Sequence, residues 1–270
     1  MEIDLEGIVN LNKYPLHSSV LIDKARRQLK DHSVVILPNF LESDALESLI
    51  KEAESIGHLA YRRYTTHSIY LKQNNGIFPP EHIFNRQVVT SKGCVTTDQI
   101  PHNSYLKQLY YNEKFQTFLK SILNVDQLYD YKDPLSSITI HYSAEDQELG
   151  WHFDNSAFAI TLLLQKAKAG GVFEYIPTIR LADSSDFGFS DDIKPQCIEE
   201  VTQILDGTLQ PKRLNLEPGT LVLFRGRDSL HRVSKVVGDR QRILVVFAYN
   251  TVPNVRLPDK TMMTFFGRIA

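Results

Sequence analysis

The sequence predicts an α+β chain with a mainly β core, a sandwich or jelly roll, preceded by helices. From Ser136 to the C-terminus it reads as a succession of short apolar or alternating runs broken by glycine and proline. Before Ser136, apolar residues recur instead at helical spacing. Composition sets the scale: 270 residues, 42% hydrophobic and 23% charged, are ordinary for a soluble globular chain with a substantial core.

Taken in order, Val20, Leu21, Ala25 and Leu29 with charges between them predict a first helix. Val34-Val35-Ile36-Leu37 is a β-branched run stopped by Pro38, hence a strand. Ser43 is placed to cap a second helix, in which Leu46, Leu49, Ile50 and Ala53 continue to Ile56 and Gly57 ends it. Residues 61–103 mix Tyr61, Tyr64 and Tyr70 with Arg62, Arg63 and His67, then break at Asn74-Asn75-Gly76 and Pro79-Pro80. A long irregular binding segment is expected there. One helix is expected over 104–123, where Leu106, Leu109, Tyr110, Phe115, Phe118, Leu119 and Ile122 form a stripe typical of core.

In the second half, Ile138, Ile140 and Tyr142 alternate with Thr139 and His141, which predicts a strand. Further strands are expected over 151–155, 158–165, 171–176, 220–225 and 242–250, with turns at Gly170-Gly171 and Pro218-Gly219. Residues 181–213 interrupt this pattern with an acidic first half and a short helix over 199–205 closed by Gly207. They are expected to be an insertion at the mouth of the barrel and a candidate lid. A single domain over 1–270 follows, with 1–135 as mostly helical support and substrate loops and 136–270 as the β core.

Charge and targeting signals narrow the class. Net charge is −2 and no Lys/Arg run exceeds two residues, which argues against a partner bound through nucleic-acid phosphates. No apolar stretch approaches a membrane span. The opening Met1-Glu2-Ile3-Asp4-Leu5-Glu6 is acidic where a secretory signal is basic. Cys94 and Cys197 are the only cysteines and no Asn-x-Ser/Thr acceptor occurs, so a cytoplasmic protein with free thiols is expected.

The chemistry centres on Trp151-His152-Phe153-Asp154-Asn155. In a strand, His152 and Asp154 share one face. With His231 downstream they make two imidazoles and one carboxylate, the facial triad of non-haem Fe(II) oxygenases. His-x-Asp alone is short and common, and His231 alone reads equally as a polar loop residue. The ordered set is specific, because each member lies in or beside an expected strand. Arg242 heads the apolar run 243–249 on the face of Leu244, Val246 and Ala248. A guanidinium there is costly unless paired, and the carboxylate of a bound 2-oxo acid is the natural partner. Tyr142 is a candidate second donor to that carboxylate, with core packing as the competing reading. His141, on the opposite face from Tyr142, reads as structural.

The array Gly150-Trp151-His152-Phe153-Asp154, Gly170-Gly171-Val172-Phe173-Glu174-Tyr175, Pro218-Gly219-Thr220-Leu221-Val222-Leu223-Phe224-Arg225-Gly226-Arg227, His231-Arg232-Val233 and Arg242 resembles the Fe(II)/2-oxoglutarate-dependent oxygenases. Within them it is similar to the carrier-independent amino-acid halogenases and their hydroxylase relatives. The resemblance implies a double-stranded β-helix (jelly-roll, cupin-like) core with flanking N-terminal helices. It also implies Fe(II), 2-oxoglutarate and O2 as cofactor and co-substrates, and a free amino acid or similar small polar molecule as substrate. Halogenases of that group have Gly or Ala where this chain has Asp154. Hydroxylation is therefore expected and chlorination is not.

A zwitterionic substrate needs a cation and an acceptor. Arg86 is the candidate for the first and Asp133 for the second, with Arg62, Arg63 and Asp98 as rivals. Each reads more readily as a solvated charge than as a substrate ligand. Asn155, a neutral amide beside the triad, is a further candidate contact and disfavours a lysine-like substrate. Two other classes stay open: a peptide, protein or nucleobase demethylase on the same fold, and a non-catalytic 2-oxoglutarate sensor.

Overall fold

The structure, a computed structural model, describes residues 5–72, 79–180 and 197–270. Helix α1 (Ser19–His32) starts where the Ser18 hydroxyl accepts from the amide of Leu21, and it buries Ala25 and Leu29. Strand β1 (Val34–Leu37) follows, then α2 (Ser43–Ile56). Ser43 is not the cap of α2. Glu42 holds that position without a side-chain cap bond, and Gly57 continues into a 3-10 turn instead of stopping the chain.

The segment expected to be irregular contains regular structure. β2 (Tyr61–His67) and β3 (Val88–Val95) pair antiparallel over their length, and residues 73–78, including Asn74-Asn75-Gly76, lie outside the described residues. β2 mixes tyrosine, arginine, threonine and histidine on both faces and buries His67 alone, so it carries no apolar alternation to announce it. The single helix expected over 104–123 is two: α3 (Tyr105–Tyr110) and α4 (Glu113–Leu123). The Asn112 side chain accepts from the amides of Lys114 and Phe115 and restarts the helix there.

The core strands are β4 (Ile138–Ser143), β5 (Leu149–His152), β6 (Ala159–Gln165), β7 (Ala169–Gly170), β8 (Phe173–Ile176), β9 (Lys212–Leu214), β10 (Thr220–Phe224), β11 (Leu230–Val233), β12 (Val236–Val237) and β13 (Arg242–Phe247). β5 stops at His152, so Asp154 lies beyond the expected strand, in the loop that follows. Eleven strands make one curled antiparallel sheet in the order β1-β10-β6-β13-β4-β3-β5-β11-β8-β9, with β2 on β3. β3 joins its two halves, pairing with β4 through Gly93 to Val95 and with β5 through Thr90. This is a jelly roll. Helix α5 (Ile198–Leu205) is the second half of the expected insertion, and 181–196, its acidic part, lies outside the described residues. The C-terminal α6 (Asp259–Phe266), which the sequence reading missed, packs Met262 and Phe266 on Cys94.

Alternation sorts the large half of the sheet into two faces. Ile138, Ile140 and Tyr142, with Ile243, Val245 and Phe247, pack under α1 to α4 in the main core. Leu244 and Val246 on the other face keep some exposure although β13 is flanked by β4 and β6. Arg242 and His141 lie on that same face. Among the described residues no helix is long and apolar enough to cross a membrane.

Candidate active site

His231 and His152 are direct partners across β11 and β5, both buried, with ring centroids 4.2 Å apart. Each ring is aimed by its own strand. His152 Nδ1 is 2.8 Å from the carbonyl of Gly150, and His231 Nδ1 is 2.9 Å from that of Ser229. A neutral imidazole donating through Nδ1 leaves the Nε2 lone pair free, so both lone pairs point into the cavity. Asp154 Oδ1 lies 3.5 Å from each Nε2. Among the described residues, His152, Asp154 and His231 form the one cluster with metal-ligand geometry, their ligating atoms within 4.8 Å of one another.

Asp154 reaches this place through a loop contact. Its amide donates to the carbonyl of Gly226 at 3.0 Å. A Cβ at 226 stands 2.6 Å from Asp154 Cγ and inside the carboxylate, so only glycine admits the side chain in this pose. Burial and the neighbouring His231 push His152 down to about 4 against the pull of Asp154, which keeps it neutral. Burial alone raises the Asp154 carboxyl, yet the two imidazoles hold it well below the usual carboxylate range. Neutral histidines and an ionised carboxylate are the states that ligate a divalent metal.

Behind His152 runs a chain of hydrogen bonds. The Gly150 amide donates to Thr90 Oγ1 at 3.0 Å, and Thr90 Oγ1 lies 2.6 Å from His67 Nε2. His67 Nδ1 is 2.8 Å from the carbonyl of Ser68, which fixes the ring as an Nδ1–H tautomer with Nε2 accepting from the threonine. The residue whose carbonyl orients His152 is thus itself held through its amide.

Arg242 is the next group in the cavity. Its side chain is buried, and no other described residue donates to it, accepts from it or pairs with it. Burial pushes it down to about 10. Gly171, at φ +59°, makes room: a Cβ there stands 3.2 Å from Arg242 Cδ. A buried guanidinium left without an acceptor fits a carboxylate of the size and charge of 2-oxoglutarate.

The remaining expected contacts lie elsewhere. Tyr142 faces the helical core, where its hydroxyl donates to the carbonyl of Ala53 at 2.7 Å, so it cannot be a second donor in the cavity. Arg86 binds Asp206 and the carbonyl of Leu205 at the C-terminus of α5, where a cation also meets the negative end of the helix. The carboxylate of Asp133 accepts from the amides of Leu135 and Leu257 and from Ser136 Oγ, a fully used structural knot. Asp98 is bound by Arg268, and Arg62 sits on an exposed stretch of β2. Asn155 remains at the rim, exposed, its carbonyl accepting from Arg227 at 2.8 Å. His141, read from the sequence as structural, lies on the face of Arg242, and Lys92 of β3, which sequence reasoning did not single out, has its Nζ 3.1 Å from His141 Nδ1.

The fold is that of the iron(II)/2-oxoglutarate oxygenases. It is similar to a 2OG-Fe(II) oxygenase family oxidoreductase from Burkholderia pseudomallei (13% identity, TM-score 0.53, covering 87% of this chain and 93% of the other). It is also similar to the non-haem α-ketoglutarate-dependent epimerase SnoN of nogalamycin biosynthesis (11%, 0.57, 86% and 84%). A third similar structure is HygX from Streptomyces hygroscopicus, solved with nickel, 2-oxoglutarate and hygromycin B (12%, 0.51, 84% and 86%). No curated protein sequence matches the chain. The family model described as Halogenase D matches residues 17–266, and the chain belongs to that family. It is an Fe(II)- and 2-oxoglutarate-dependent oxygenase.

Proposed function

We propose that the protein hydroxylates an unactivated C–H bond of a small polar substrate, a free amino acid or a derivative of one, with release of succinate and CO2. The observation that carries this reading is the carboxylate of Asp154 set 3.5 Å from both His152 and His231. His152, Asp154 and His231 would hold the metal with three protein groups, and Asp154 would take the place that Gly or Ala leaves open to a halide in halogenases.

Bound iron and 2-oxoglutarate supply the oxidising power, the co-substrate being cleaved oxidatively with O2 while an oxygen atom goes to the substrate. The chain's own residues do the rest. His152 and His231 present Nε2 lone pairs, and Asp154 offsets part of the metal's charge. Arg242 takes the distal carboxylate of 2-oxoglutarate in a charge-assisted fork, which fixes the end of the molecule remote from the metal. The apolar face of Leu244 and Val246 limits water beside the reacting groups. Arg86 and Asp133 are committed within the protein, so the amino-acid substrate class rests on family membership, and Asn155 is the remaining candidate contact from the sequence.

The test is an anaerobic titration with Fe(II) and 2-oxoglutarate, then exposure to O2 with free amino acids, nucleotides and peptides in turn and chloride present. The expected result is succinate formation stimulated by one amino-acid-like compound and a product heavier by one oxygen atom. A chlorinated product, or succinate that no compound stimulates, removes the proposal.

A further inference from the structure

Residues 226 and 227 grip the loop of Asp154 at two successive backbone groups. The Gly226 carbonyl accepts from the Asp154 amide at 3.0 Å, and Arg227 donates through Nε and Nη2 to the Asn155 carbonyl at 3.2 and 2.8 Å. Nε and one Nη reach a single oxygen only along the side edge of a guanidinium. The end-on edge, with one N–H from each Nη, is left over. Arg227 is half-buried, and among the described residues no carboxylate lies within ion-pair distance of it. The neighbouring Asp228 is taken by Arg225, whose Nη2 is 2.5 Å from Oδ2. Burial and the charge of Arg180 push Arg227 below its ordinary value, with Asp228 opposing them. Arg180 lies over the rings of Tyr70 and Phe153, at 5.4 and 5.5 Å. One guanidinium therefore meets the residue before Asp154 and another the residue after it. Asn155, Ser156 and Ala157 beside them are exposed and carry no charge. A half-buried cation next to a second cation gains most from an anion that arrives.

We propose that Arg227 takes a carboxylate of the primary substrate on the end-on edge of its guanidinium, while the side edge holds the loop of Asp154. This rests on the reading of the protein as a hydroxylase and adds the part of the substrate that is recognised. Consecutive Cα atoms are about 3.8 Å apart, so a group held on the residue after Asp154 stands about one residue's length from the third metal ligand. A carboxylate there leaves the carbon chain of a small acid to extend toward the metal. Two parallel N–H groups match the two oxygens of a carboxylate, whereas a carboxamide offers the same fork one oxygen and no charge. The site therefore selects acids against their amides, and an arginine that only clamps the loop does not.

The experiment uses the full chain with Fe(II), 2-oxoglutarate and O2, and compares succinate formation with each free amino acid and with its carboxamide. The acid is expected to stimulate at roughly tenfold to a hundredfold lower concentration than the amide. Equal stimulation by the two, or a preference for the amide, leaves the hydroxylase reading standing and overturns the proposal. No stimulation by any compound overturns both. Arg227→Gln keeps an N–H for the Asn155 carbonyl and removes the fork and the charge. In this variant KM for the acid is expected to rise by roughly tenfold to a hundredfold, with the smaller part of the loss in kcat. KM for the amide and the affinity for Mn(II), measured by calorimetry, are expected to stay as they are. An arginine that only clamps the loop gives instead weaker Mn(II) binding and equal losses for acid and amide, and that result overturns the proposal. An unchanged KM for the acid also overturns it, and so does weaker binding of 2-oxoglutarate to the Mn(II) form, which assigns the arginine to the co-substrate. Should Arg227→Gln not fold, the comparison of acid and amide on the wild-type chain decides alone.

Discussion

The two ends of the cavity are built on opposite rules. At the metal end each second nitrogen is tied to a backbone carbonyl, and Asp154 is threaded past a glycine that leaves it one place to go. At the other end Arg242 is buried and, among the described residues, neither its guanidinium nor Lys92 meets a carboxylate, and Lys92 has an imidazole as its hydrogen-bond partner. A site for a cation fixes its lone pairs in advance, whereas a site for an anion leaves N–H groups waiting. The first gathers two lone pairs and one carboxylate that only a cation satisfies together. The second carries unpaired charge until its ligand binds.

The largest break in this contrast comes from Gly226→Ala. The new methyl displaces the Asp154 carboxylate, so metal affinity measured with Mn(II) is expected to fall by at least about a hundredfold, while the fold loses about 1–3 kcal/mol. Unchanged metal binding shows that Asp154 has another pose. Thr90→Val comes next. It keeps the shape and removes the oxygen between His67 and the Gly150 amide, and about a tenfold loss of metal affinity is expected. Affinity for 2-oxopentanoate at saturating metal should not change, which separates a metal-end effect from a cavity-wide one. The smallest effect belongs to Tyr142→Phe. About 1 kcal/mol of stability should go with the bond to Ala53, and 2-oxoglutarate affinity should stay as it is. Weaker binding in that variant returns Tyr142 to the site.

The same contrast explains what the sequence reveals. His152, Asp154 and Arg242 stand out because each breaks an apolar or alternating run, and the main strands are bounded by glycine and proline. Local pattern cannot show where a polar side chain finds its partner. Asp133 is closed by the amide of Leu257 and Arg86 by the end of α5, both far away in the chain. Lys92 sits in Thr90-Ser91-Lys92-Gly93-Cys94, which has no amphipathic period, and its place is set by pairing with β2 and β4. Tyr142 shows the limit within one strand. The alternation puts it and His141 on opposite faces, and only the position of the helices tells which face is the core.

Strand β3 holds Thr90 behind one end of the cavity and Lys92 at the other, two residues apart on the same side of the strand. A strand advances roughly 3.3 Å per residue, so these two fixed points stand about 6–7 Å apart along it. β3 thus couples the support of His152, through Thr90, to the place of Lys92 beside His141. Sliding it by one residue turns both side chains to the other face of the sheet together, so a register change in β3 undoes both contacts at once.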